Sequence, residues 1–354
     1  MKRNLLKYNT YVCLFFLLTM FLFAGCGGSG SGNSGQTGNT EQNKGTSSNG
    51  STGQNSGKDN SPYTGEVNLS GASLEEEMAA FGELPPIPEV LRPEASGVAV
   101  QENAQAKIDY SNVAEGYVMV QFTAETEKRL KVQIKGPTTT YKYDIKPGEW
   151  EVFPISDGNG DYQIGVYENV EDSKYALALA AKVSVELIDE FAPFLRPNQY
   201  VDYADAQKTK QMAAILTKDD VTELDKVASV YDYVVSNLTY DEELAASVKS
   251  GYLPVLDEVL EKKTGICFDY AALMTGMLRS QSVPCKLVVG YAGEAYHAWI
   301  NVYTEKDGWI DNVIYFDGTT WMRMDPTFAS SGNRSDKVMK YIGDGTNYTV
   351  KYLY

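Results

Sequence analysis

The sequence predicts an α+β protein in which an antiparallel β-sandwich precedes a domain of mixed helices and strands, with an unstructured stretch ahead of both. Three observations predict it. From Val98 to Leu187 the chain runs in short segments of alternating polarity, and period-two strands at that spacing indicate a sandwich. Beyond Pro193 and Pro197 apolar residues recur at three- and four-residue steps, the period of a helix. From Gly27 to about Asn60 the residues are almost all Gly, Ser, Asn, Thr and Gln, which cannot bury enough apolar surface to offset the entropy of ordering.

The 354 residues leave room for two ordinary domains. With 31 basic and 47 acidic residues the formal charge is −16, or −19 once Lys2, Arg3 and Lys7 are removed with a leader. That charge excludes a nucleic-acid partner and repels an anionic membrane, so membrane attachment must be covalent or hydrophobic. Of the four cysteines, Cys13 and Cys26 lie in the leader region, leaving Cys267 and Cys285 for the folded part. Both are read as thiols. One histidine and two separated cysteines fit no zinc spacing, so no cofactor is expected, with calcium open as an alternative that no motif indicates.

Residues 1–25 read as a secretory leader, with a basic start, an apolar run from Tyr11 to Phe23 and the small pair Ala24-Gly25. Leu22-Phe23-Ala24-Gly25-Cys26 resembles a bacterial lipobox, which implies acylation of Cys26, although Phe23 stands where leucine is usual. An uncleaved signal anchor is the alternative, but the run is short for a bilayer that needs roughly 20 apolar residues. Residues 26–97 are grouped as a tether followed by a Pro-rich segment, with a short helix over Leu74 to Phe81 and Pro85-Pro86-Ile87-Pro88 breaking regular structure after it. As a flexible coil, its first 34 or so residues would reach roughly 30 Å.

The sandwich is assigned to residues 98–195. Its strands are 117–122, 130–134, 140–145, 162–168 and 183–187, with turns at Lys146-Pro147-Gly148 and Asp157-Gly158-Asn159-Gly160. Asp157, Asn159, Asp161 and Glu168 follow the spacing of a calcium loop. Tyr162 occupies the place that needs glycine, however, and strand follows where a helix should, so the segment reads as a hairpin turn. The tyrosines of this domain are ordinary strand formers that could also present a sugar-binding face.

Residues 200–354 carry the chemistry. Asp219 to Leu238 is one amphipathic helix, and a second, mostly buried helix begins at Cys267. A helix N-terminus offers partial positive charge and free N–H groups, which favour thiolate, the nucleophilic form. Thirty residues on is His297, the sole histidine of the chain, at the start of a strand on which Trp299 and Asn301 share its face. Lys286 to Tyr291 is a buried strand, and the strand Trp321 to Met324 ends at Asp325, where Pro326 stops it. A base must reach the thiol and be held in one tautomer by an acceptor, and these three residues supply nucleophile, base and orienter. Singly, each has a blander reading: a small buried cysteine, a satisfied core histidine, a turn-forming Asp-Pro.

Thr264-Gly265-Ile266-Cys267-Phe268-Asp269-Tyr270-Ala271, Ser282 to Tyr291, Tyr296-His297-Ala298-Trp299 and Met324-Asp325-Pro326-Thr327 occur in the order of the transglutaminase-like core, which residues from about Asp225 to Ala329 resemble. The resemblance implies a papain-like α+β fold with Cys267 as nucleophile, His297 as base and acid, and Asp325 as orienter. It also implies a phenol or indole that helps the Cys267 N–H hold the oxyanion, for which Tyr252 and Tyr240 are the candidates. Cys285 stands where the family has a small residue and is expected to be inert.

The expectation is a thiol enzyme that acts on protein or peptide amides through a thioester, on the outer face of a bacterial cytoplasmic membrane and anchored by lipid at Cys26. Water as acceptor would make it a cysteine peptidase or deamidase, and a lysine amine a cross-linking acyltransferase; the tethered architecture leans towards hydrolysis. The rival is a catalytically silent wall- or polymer-binding lipoprotein that uses the sandwich.

Overall fold

The computed structural model describes residues 72–306, 308–311, 314–316, 321–323 and 348–354, all within one compact unit, Asn60–Tyr354. The leader, Cys26 and the Gly/Ser-rich stretch lie outside the described residues, as does Asp325.

Helix α1 (Leu74–Ala80) starts at a reciprocal capping box between Ser73 and Glu76 and buries Leu74 and Met78. Glu77, only 2% exposed, pairs with Lys263 at 2.7 Å. Further on, Gln211 donates to the Pro85 carbonyl and Arg92 to Asp205 and the Ala204 carbonyl. The Pro-rich segment grouped with the tether is therefore laid against the C-terminal half, because prolines that cannot form a helix still offer carbonyls to its side chains.

The sandwich contains β1 (Val100–Glu102), β2 (Ala106–Asp109), β3 (Tyr117–Phe122), β4 (Leu130–Lys135), β5 (Thr140–Ile145), β6 (Trp150–Pro154), β7 (Gly160–Glu171) and β8 (Lys174–Val185). They form two antiparallel sheets, in the orders β1-β2-β3-β6 and β5-β4-β7-β8. Alternation decides the faces: Leu130, Val132 and Ile134 are buried while Lys131, Gln133 and Lys135 turn outward. The turn at Asp157 works as a structural joint, since its carboxylate accepts the Thr138 and Thr139 N–H groups and Asn159 accepts the Leu187 N–H.

The C-terminal half adds α2 (Gln207–Thr217), α3 (Glu223–Asn237), β9 (Thr239–Tyr240), α4 (Glu242–Ser247), α5 (Leu256–Lys262), β10 (Thr264–Gly265) and α6 (Cys267–Ser280). After them come β11 (Cys285–Ala292), β12 (Ala295–Thr304), β13 (Gly308–Ile310), β14 (Ile314–Phe316), β15 (Trp321–Arg323) and β16 (Tyr348–Leu353). β13-β12-β11-β16 form an antiparallel sheet, and β14 pairs with β15. Every residue of α6 from Asp269 to Ser280 is buried, because α2, α3 and α5 pack on it as well as β11 and β12. A helix apolar on all sides is a core helix, and α6 is the axis of this half. Gly276 permits the approach of α5, since a Cβ there would lie 2.6 Å from Leu256 Cδ1.

One continuous apolar cluster runs from the sandwich into this half. Rings mark the seam: Tyr141 meets Tyr352 and Tyr354 at 5.7 Å, and Tyr200 stacks edge-on to Tyr354 at 4.6 Å and to Phe268 at 5.5 Å. At the far end of α6 the buried Arg279 guanidinium donates to the main-chain oxygens of Cys285, Arg196 and Tyr354. It ties the segment joining the halves to the starts and ends of two strands.

Candidate active site

Cys267 is the first residue of α6, half-buried and a free thiol. Its position is set by the two residues before it. Gly265 on β10 pairs in parallel with Tyr240 on β9, and Ile266 is extended, at φ −94° and ψ 175°. The chain then turns into the helix under the control of Asp269, whose Oδ2 accepts the Ile266 N–H at 2.8 Å. This is half of a capping box, as Ile266 has no side-chain acceptor to return the bond. Glycine is required at 265, where a Cβ would stand 2.6 Å from Asp269 Cβ.

His297 lies near the start of β12, opposite Gly290 of β11, and is 6% exposed. Its ring lies parallel to that of Trp299, 6.4 Å away, on the face that also carries Asn301, whose amide donates to Asp311 at 2.9 Å. Gly290 makes room for this arrangement, since a Cβ would meet the Thr349 carbonyl at 2.0 Å and Trp299 at 2.8 Å. The neighbour of His297, Tyr296, has its phenol pushed up to about 12, chiefly by burial, then by Tyr352 and Tyr291, with the Cys267 charge contributing. Helix α6, which begins at Cys267, packs across β12. Asp325 lies outside the described residues, although a strand, β15, forms over Trp321–Arg323 where a strand is expected.

The two tyrosines read as oxyanion candidates differ. Tyr240 is half-buried and its phenol is pushed up to about 12 by burial first and then by the Cys267 charge, so it stays a neutral donor. The Tyr252 hydroxyl instead donates to Asp269 Oδ1 at 2.7 Å. Asp269 has no assigned role in the sequence reading; its signal is an acidic residue at the third helical position after a candidate nucleophile. Burial raises the Asp269 pKa, against the hydrogen bonds from Ile266 and Tyr252 that lower it. Cys285 is fully buried, its thiol pushed up to about 12 by burial and donating weakly to Thr275. No set of three His, Cys, Asp or Glu side chains among the described residues could hold a metal ion.

Residues 210–326 match the family described as the transglutaminase-like superfamily. The uncharacterized protein YebA of Bacillus subtilis is 28% identical over 197 residues, which cover 49% of this chain and 26% of YebA. The match thus spans about a quarter of the length of that curated relative. Among solved structures, the periplasmic domain of TgpA from Pseudomonas aeruginosa aligns over 73% of this chain and 96% of its own, at 15% identity and a TM-score of 0.32. Red sea bream transglutaminase aligns over 78% of this chain and 57% of its own, at 14% identity and a TM-score of 0.27. The transglutaminase-like similarity of this chain thus lies in residues 210–326.

Proposed function

We propose that this chain is a thiol acyl-transfer enzyme that acts on protein or peptide amides through a Cys267, His297 and Asp325 triad. The observation that carries the reading is the seating of Cys267: a half-exposed thiol at the first position of a helix buried from Asp269 onward, which packs on the strand that bears the sole histidine of the chain. Helix N–H groups there favour thiolate. Cys267 Sγ attacks the carbonyl carbon of the amide, and the oxyanion is held by the Cys267 N–H with the Tyr240 hydroxyl. His297, having taken the thiol proton, gives it to the departing amine as the C–N bond breaks, which leaves a thioester. Asp325 steadies the imidazolium. Water, activated by His297, then releases the acid, or an amine takes the acyl group. Hydrolysis is the reading preferred here, with no metal or cofactor in any step.

Acylation at Cys26 would place the enzyme on the outer face of a bacterial membrane, facing protein or peptide substrates of the cell surface or wall. The test uses the mature protein without its leader, incubated with quenched peptides and, separately, with casein and a fluorescent amine. Cleavage supports the peptidase and amine incorporation the acyltransferase. Loss of either activity in both Cys267→Ala and His297→Ala assigns it to this site. Absence of both across a broad substrate panel, with Cys267 alkylating no faster than Cys285, would favour the silent wall-binding lipoprotein.

A further inference from the structure

We propose that Asp269 and Tyr252 are positioning residues for the nucleophile: Asp269 holds the two-residue turn that presents Cys267, and Tyr252 holds Asp269. The proposal rests on the reading of Cys267 as the nucleophile. Asp269 is wholly buried, and a buried carboxylate is costly unless its oxygens are hydrogen-bonded. Here each oxygen has a donor, the Ile266 N–H on Oδ2 at 2.8 Å and the Tyr252 hydroxyl on Oδ1 at 2.7 Å, so neither is left without a partner. Its place is otherwise unfavourable. Two residues from a thiol that must ionise, a negative charge works against the thiolate, and a serine or asparagine would cap the helix without that opposition. What the carboxylate adds is reach in two directions, to the main chain just before Cys267 and to a separate loop.

That loop, 248–255, joins α4 to α5. Its Gly251, at φ +85°, stands so close to the sandwich that a Cβ would lie 3.5 Å from Asp144 Oδ2 on β5. The loop thus borders the sandwich at Gly251 and reaches the turn that bears the nucleophile through the Tyr252 hydroxyl. Asp241, which follows β9, also acts electrostatically on both Asp269 and Tyr252, and Glu258 of α5 on Tyr252, and the Tyr252 hydroxyl donates against this negative charge. With the Tyr252 hydroxyl gone, Asp269 loses one of its two donors and the turn that presents Cys267 loses its brace.

The experiment alkylates the mature protein with iodoacetamide from pH 5 to 9 and reads Cys267 and Cys285 separately by peptide mass spectrometry. Tyr252→Phe should leave the melting temperature and the protection of Cys285 unchanged. It should slow Cys267 alkylation roughly 10-fold at pH 6. Asp269→Ala, which removes the acceptor of both hydrogen bonds, should slow Cys267 further through loss of the turn, and Tyr252→Phe added to Asp269→Ala should change nothing more, because Tyr252 acts through Asp269. If Asp269→Ala exposes Cys285 by unfolding, the Tyr252→Phe and Tyr252→His pair decides: histidine, which can donate to Asp269, should restore part of the rate. A reactive wild-type Cys267 with a Tyr252→Phe profile that overlays it, or additive effects of the two substitutions, overturns the positioning role. A wild-type Cys267 no more reactive than Cys285 overturns the nucleophile reading and the positioning role with it.

Discussion

Replacing Arg279 by methionine should loosen the molecule at the end of α6 far from the thiol. The guanidinium is 3% exposed and serves three main-chain oxygens, those of Cys285 at 2.9 Å, Arg196 at 2.8 Å and Tyr354 at 2.7 Å. Burial drops its pKa from 12.5 to about 10, so it is charged at neutral pH and bears a desolvation cost of about 3 kcal/mol. Methionine fills much of the volume and removes that cost, but takes from the Cys285 and Arg196 carbonyls their side-chain donor at roughly 1–3 kcal/mol each, while the Tyr354 oxygen keeps the Leu287 N–H and loses about 1 kcal/mol. The loss of about 5 kcal/mol set against the recovery of about 3 leaves a net destabilisation of about 2 kcal/mol. For a body of this size that is a fall in melting temperature of roughly 4–8 °C, measured by calorimetry. Hydrogen exchange should locate the loosening in β16 and in the segment around Arg196. A melting temperature within 2 °C or so of wild type, or above it, would refute the reasoning, since it would mean that relieved desolvation outweighs the lost bonds.

Gly265→Ala places a methyl against Asp269 and should cost about 1–3 kcal/mol by overpacking while slowing Cys267 alkylation more than ten-fold; a normal rate in a folded variant would contradict the turn described above. Lys263→Met strands the buried Glu77 carboxylate and should release α1, seen as proteolysis near residues 72–92 with the sandwich intact. Burial raises the pKa values of Asp269, Glu151, Asp202 and Asp220. For a raised folded pKa the contribution to stability is present in full below the unfolded value and is lost as pH rises through the folded one. The melting temperature should therefore hold or rise between pH 7.5 and pH 5, helped by relief of the −16 charge, and a steady fall over that range would count against it.

Where periodicity is strong, the sequence and the structure coincide. The strands 117–122 and 140–145 are met residue for residue, and the helix expected over 219–238 forms as Glu223–Asn237, shortened to its Thr222 cap. The helix start at Cys267 and the strand through His297 were also legible, from the apolar pattern after the one and the alternation after the other. Strands β1, β2 and β6 were not. β1 and β2 are short, and β6 buries only Phe153 and Pro154, so none has an alternation long enough to stand out. Asp269 was hidden for a different reason. Its meaning depends on Tyr252, seventeen residues away on another element, and no local pattern reports such a partner.

The rings along the seam bear on what can be cut from this molecule. A fragment trimmed to residues 210–326 would lose Tyr200, which covers Phe268 beside the nucleophile, and would lose β16, the hydrogen-bonded neighbour of β11. It would also strip Arg279 of two of its three acceptors and leave that charge in an opened core. The stretch that carries the family likeness is thus smaller than the smallest piece that should fold. Grafting the chemistry into another protein would mean moving the sandwich with it, as masonry rather than as an accessory.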